Sequence, residues 1–216
     1  MSSIAFFDVD ETLIRPKSMF ALLEFYLLAN RVDGAAVYRA RWAEICGMSQ
    51  SGAPRSEINR HFYRLWAGEP HASVIRAGRD WVAGAVARGS FFIEPAVRAL
   101  DEHRATGSHI VLVSGSFPAA VEPIAERLGV ERILCTRPEV KDGIMTGAIE
   151  FPMIGANKAR AAKDVMNGSP SHLKTASPTE IISPTSTFWL VGNPRIVAHD
   201  PDLIAVATAR NWRVLQ

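Results

Sequence analysis

The stretch "IAFFDVDETLI" at residues 4–14 constrains the fold more than any other part of the chain. A short apolar and aromatic run stops at Asp8, and a second acid, Asp10, follows one residue later. Such a run reads as a buried strand over residues 2–10. Two clustered carboxylates at a strand end suit a hard cation such as Mg²⁺, which takes oxygen ligands in octahedral geometry.

Beyond it the chain alternates between strand and helix patterns. Residues 96–107 read as a helix closed by Gly107, 109–116 as a second buried strand and 118–130 as a helix. Then come a strand at 132–136, a hairpin at 140–149 around Asp142-Gly143, a helix at 156–166, a helix at 200–211 and a last short strand at 212–215. Strands alternating with helices imply a parallel sheet covered on both faces, with ligands at the carboxyl ends of its strands. Residues 18–46 and 55–88 carry helical spacing on either side of a polar loop at 49–54. Residues 16–90 are therefore expected to form an all-helical insert, and 1–15 with 91–216 an α/β core. Trp42, Phe62, Trp66 and Trp81 are expected to fill the interior of the insert. One segment breaks the pattern: residues 167–186 are rich in Ser, Thr and Pro where a helix end and a strand are due.

The 216 residues suffice for one large domain or a core with an insert, and a hydrophobic fraction of 48% supports a real core. Lys plus Arg number 24 against 22 Asp plus Glu, a formal charge of +2, which argues against a nucleic-acid partner. The two cysteines, Cys46 and Cys135, lack metal-ligand spacing and suggest a reducing compartment. No apolar run approaches a membrane span and no secretory leader is evident, so a soluble, cytoplasmic protein is expected.

Further chemistry sits at the other expected element ends. Thr12 adds a hydroxyl beside the acid pair. Ser114-Gly115-Ser116 ends the second strand with two hydroxyls and a glycine that lets backbone approach an anion. Lys158 opens a helix and places a positive charge at its N-terminus. Each alone is more simply a turn or a solvated side chain. Together, at successive ends of one parallel sheet, they equip a site for phosphoryl transfer.

"DVDETL" resembles the first motif of the haloacid dehalogenase-like (HAD) superfamily, "VLVSGS" its second, and Lys158 in "IGANKARA" its third. "CTRPEVKDGIMTGAI" and "VGNPRIVAHDPDLIAVATARNWRVL" are similar to the phosphoserine-phosphatase-like branch (subfamily IB). The resemblance implies a Rossmann-like parallel-sheet core with a helical cap at 16–90. It implies a Mg²⁺-dependent phosphatase acting on a small phosphorylated metabolite. Asp8 would be the nucleophile that becomes an aspartyl-phosphate, and Asp10 the acid and then the base. Asp8 and the backbone carbonyl of Asp10 would ligate Mg²⁺. Ser114, the Gly115 N–H and Lys158 would hold phosphoryl oxygens, with Thr12 and Ser116 beside them. In true phosphoserine phosphatases a Glu meets the substrate ammonium; Lys17 stands at the similar position, which disfavours that substrate.

The family's fourth motif, Gly-Asp-x-x-x-Asp, is absent. Counting back from "VGNP" places its first acid at Glu180, the sole nearby substitute, and its second at Pro184. Back-translation of residues 178–190 and a shift by one frame gives Tyr-Gly-Asp-His-Ile-Ser-Asp-Phe-Asp-Phe-Leu-Ala, the missing motif with both acids correctly spaced. The expectation is that roughly residues 168–189 are read out of frame, the alternative being a diverged loop, that the strand before the motif is lost, and that Mg²⁺ binding and activity suffer. Two rivals stand beside this reading. One is a catalytically inactive HAD-like protein that binds a phosphorylated ligand or partner. The other is a receiver-type phosphoacceptor domain, against which the long helical insert argues.

Overall fold

The computed structural model describes residues 3–168, 179–182, 193–197 and 201–215. Strand β1 (Ile4–Asp8) is buried at every position, as an uninterrupted apolar run requires. It lies in parallel between β2 (His109–Ser114) and β6 (Thr179–Ile182). With β3 (Arg132–Cys135), β7 (Asn193–Val197) and β8 (Arg213–Leu215), the sheet runs β3-β2-β1-β6-β7-β8, all parallel.

The strand period of two divides β1 between two layers. Ala5 and Phe7 join the main core with Leu112 and residues of α5 (Glu94–Ala105) and α6 (Pro118–Leu128). Ile4 and Phe6 face the opposite layer with Val111, Val113 and residues of α7 (Ala156–Gly168). Helix α8 (Pro201–Ala209) packs Leu203 and Ala207 against Ile196 of β7.

Four helices stand between β1 and α5: α1 (Ser18–Asn30), α2 (Gly34–Gln50), α3 (Arg55–Arg64) and α4 (His71–Ala87). The helical spacing over 18–46 and 55–88 is thus real, but each run is broken. At the first break the chain folds back so tightly that a Cβ on Gly34 would lie 2.1 Å from the Leu27 carbonyl oxygen. At the second, the amides of Leu65, Trp66 and Ala67 reach back only three residues, a 3₁₀-like winding-down, and Pro70 follows. Phe62, Trp66 and Trp81 are buried as expected. Trp42 is not: it is 41% exposed and covers Phe20 edge-on from outside. A second close approach seats the helices on the sheet layer, since a Cβ on Gly78 of α4 would lie 1.7 Å from the Ala119 carbonyl oxygen of α6.

The hairpin is longer than its sequence signal: β4 (Arg137–Lys141) pairs with β5 (Ile144–Phe151). Asp142 and Gly143 turn it with φ of +50° and +78°, the left-handed pair that matches strand twist. Its tip docks on the helices. Gly68 N–H donates to the Met145 carbonyl at 2.9 Å, Met145 N–H to Glu69 at 3.0 Å, and His71 N–H to Gly143 at 2.9 Å.

One expectation is overturned. The Ser/Pro-rich segment does contain a strand of the main sheet, because Thr179–Ile182 forms β6. Its "TEII" is short but β-prone, and β1 and β7 complete its ladders on both sides. The rest of the proposed out-of-frame stretch, 169–178 and 183–189, lies outside the described residues.

Candidate active site

Three of the residues picked out in the sequence meet at the carboxyl edge of the sheet. Asp8 ends β1 and is 6% exposed; Ser114 ends β2, one strand away, and is 1% exposed. Lys158, in the first turn of α7, is 8% exposed and donates its ammonium to Asp8 Oδ1 at 2.5 Å. Two opposite charges so deeply buried are tolerable only as a pair.

After β1 the chain closes a tight loop: the amides of Leu13 and Ile14 both donate to the Val9 carbonyl, at 3.0 and 3.1 Å. This turns Asp10 back toward α1, where the Ser18 N–H donates to its Oδ1 at 2.7 Å. Burial pushes the Asp10 carboxyl up from 3.8 to about 6; the Ser18 bond opposes this and the neighbouring Asp8 adds to it. A carboxyl poised there can both give and take a proton near neutrality.

Thr12 and Ser116 are fully buried, and neither hydroxyl has a partner among the described residues. Both stand in the loops that follow β1 and β2, at the same edge of the sheet as Asp8 and Ser114. Lys17 is set apart, pairing its ammonium with Glu11 at 3.5 Å near the surface. Glu180 lies on β6 opposite Phe6, two positions back from the end of β1, and its side chain is outside the described residues.

The structure adds two residues that the sequence did not single out. Tyr63 of α3 donates its hydroxyl to the Gly115 carbonyl at 3.2 Å, and Thr136, just past β3, donates to the same oxygen at 2.8 Å. Thr136 was findable as the hydroxyl residue at the end of the next parallel strand. Tyr63 carried no signal, because nothing in helical spacing says which buried aromatic reaches a distant carbonyl.

The donors fit Mg²⁺ only in part. Asp8 and the Asp10 carbonyl could offer oxygens, but no Asp or Glu occurs between residues 181 and 199, where the strand beside β1 ends. Among the described residues no cluster of three or more potential metal ligands forms. With Asp8 as the one carboxylate and that one paired to Lys158, a hard cation would lack charge-compensating ligands.

A family model described as haloacid dehalogenase-like hydrolase matches residues 5–176. "Inhibition of morphological differentiation protein" of Streptomyces azureus is 28% identical over 98% of this chain and 77% of its own. A probable phosphatase of Mycobacterium tuberculosis is also 28% identical, over 98% of this chain and 74% of its own. The fold is similar to a crystal structure of a Bordetella pertussis protein of unknown function, with TM-score 0.86, 24% identity and 100% and 99% of the two chains covered. It is also similar to a phosphoserine phosphatase solved as a phospho-aspartyl intermediate analogue, with TM-score 0.68, 18% identity and 99% and 92% covered.

Proposed function

Because the chain belongs to the haloacid dehalogenase-like hydrolases, we propose that it is a phosphomonoesterase whose nucleophile is Asp8. The buried Lys158–Asp8 pair at the sheet edge carries this reading. The Asp8 carboxylate attacks phosphorus, the ester oxygen leaves, and an aspartyl-phosphate forms. Asp10 protonates the departing oxygen and then deprotonates the water that cleaves the acyl-phosphate. The Ser114 hydroxyl, the Gly115 N–H and the Lys158 ammonium hold the phosphoryl oxygens and offset their charge. Residues 16–90 act as a cap over a core of 1–15 and 91–216, excluding water from the reaction. The substrate is a small phosphorylated metabolite, and Lys17 at the rim disfavours one with an ammonium tail. Two free cysteines support a cytoplasmic setting. Among the described residues no helix is long and apolar enough to cross a membrane.

Mg²⁺ would supply charge neutralisation in this family's chemistry, but the residues present do not complete its shell, so no step above depends on it. We attribute the gap to a frame-shifted stretch at about 168–189 and expect the chain as written to be impaired. The same gap favours the second reading, a catalytically inactive member that binds a phosphorylated ligand or partner. Acid quenching during incubation with an aryl phosphate and Mg²⁺ separates the two. A phosphate adduct on the peptide holding Asp8, absent in Asp8→Asn, marks the enzyme; no adduct in either protein marks the binder.

A further inference from the structure

We propose that Thr136 and Tyr63 are positioning residues that clamp the Gly115–Ser116 peptide, so that the anion-facing groups of the β2 loop keep their aim only while α3 is seated. The inference rests on reading that loop as the phosphate site.

Every polar group of this peptide unit is held. Its carbonyl, on Gly115, accepts from Thr136 Oγ1 at 2.8 Å and from the Tyr63 hydroxyl at 3.2 Å. Its N–H, on Ser116, donates to Ser114 Oγ at 3.0 Å. That last bond occupies a lone pair of Ser114 and leaves its hydroxyl proton to donate to an anion. The next carbonyl, on Ser116, accepts the Thr136 N–H at 2.8 Å.

Thr136 also reaches the lysine side of the site. Its Oγ1 accepts the Met153 N–H at 3.0 Å, five residues before Lys158. The same two loops touch directly, since a Cβ on Gly115 would lie 3.2 Å from Ile154 Cγ2. One hydroxyl therefore joins the loop that ends β2 to the loop that opens α7. With both Thr136 and Tyr63 fully buried, losing the Thr136 hydroxyl strands the Met153 N–H away from water, and losing the Tyr63 hydroxyl removes one of the two donors to the Gly115 carbonyl.

Tyr63 brings the inserted helices into this network. It is their hydroxyl on the Gly115 carbonyl, and its ring packs on Phe117 at 5.6 Å, directly after the loop. Burial holds its phenol well above the ordinary value of 10, so it remains a donor at any working pH. With α3 seated as it is, the Gly115 carbonyl has two donors; without the Tyr63 hydroxyl it has Thr136 alone.

The test uses the full chain and inorganic phosphate as probe, with calorimetry for affinity and backbone hydrogen exchange for the loops. Thr136→Val, nearly isosteric, should weaken phosphate binding about tenfold and speed exchange across 114–117 and at Met153 by a similar factor. Thr136→Ser, which keeps the oxygen, should restore both to within about threefold. Tyr63→Phe should speed exchange at Ser116 about fivefold and leave the far end of α6 unchanged. The proposal is overturned if Thr136→Val matches the wild type in exchange, or if Thr136→Ser is as defective as Val. If Thr136→Val does not fold, the Tyr63→Phe exchange decides. If the wild type binds no phosphate, the phosphate-site reading falls, while exchange still decides the clamp.

Discussion

At the residue scale the two acids of β1 and its loop have been given different surroundings. Asp8 faces the Lys158 ammonium at 2.5 Å, whereas Asp10 has a backbone N–H at 2.7 Å and an otherwise desolvated setting. Asp10 is consequently held up at about 6, mainly by burial. The sign for stability follows. The unfolded state ionises Asp10 from about 3.8 upward and the folded state only from about 6, so stability falls across that window as pH rises. In metal-free protein, Asp10→Asn should gain up to about 3 kcal/mol over the wild type at pH 8, and the gain should fade toward pH 4. Urea unfolding across that range measures it, and a pH-independent difference would contradict the assignment.

At the element scale, what was legible followed from unbroken pattern. The apolar runs of β1 and β2 gave two buried parallel strands, and the residues at their ends meet. The helix breaks at 31–33 and 65–70 carry local signals, Asp33-Gly34 and Gly68 with Pro70, that the long helical spacing on either side outweighed; the close packing at Gly34 and the winding-down before Pro70 confirm them. β6 was hidden because Ser, Thr and Pro surround a four-residue strand with three β-prone residues that depend on their neighbours. The tie between α3 and the β2 loop is also tertiary. Phe117 meets Phe62, Tyr63 and Trp66 at 5.5–6.5 Å between ring centroids. Phe117→Ala should cost about 3–5 kcal/mol in chemical denaturation, because it removes the ring by which the sheet side meets the aromatics of residues 62–66. A loss below about 1 kcal/mol would mean that the two sides are held by other contacts.

At the scale of the whole molecule the proposed phosphoryl-transfer site is built on the β2 side of β1 and has a chemical gap on the β6 side. Asp8, Ser114 and Lys158 are in place, while residues 181–199 contain no acid. The sequence carried three motifs as residues and no acid between residues 181 and 199, which the proposed shift of reading frame would explain. The coupling through Thr136 was invisible there, because a threonine acting on a carbonyl and an amide leaves no motif. The most direct measurement compares hydrolysis of an aryl phosphate in Mg²⁺ by three proteins. These are the chain as written, the chain with about residues 168–189 translated in the shifted frame so that Gly-Asp-His-Ile-Ser-Asp stands from residue 179, and that restored chain carrying Asp8→Asn. The account predicts turnover at least on the order of a hundredfold higher in the restored chain, abolished by Asp8→Asn. A restored chain no faster than the original, or activity that survives Asp8→Asn, would contradict it.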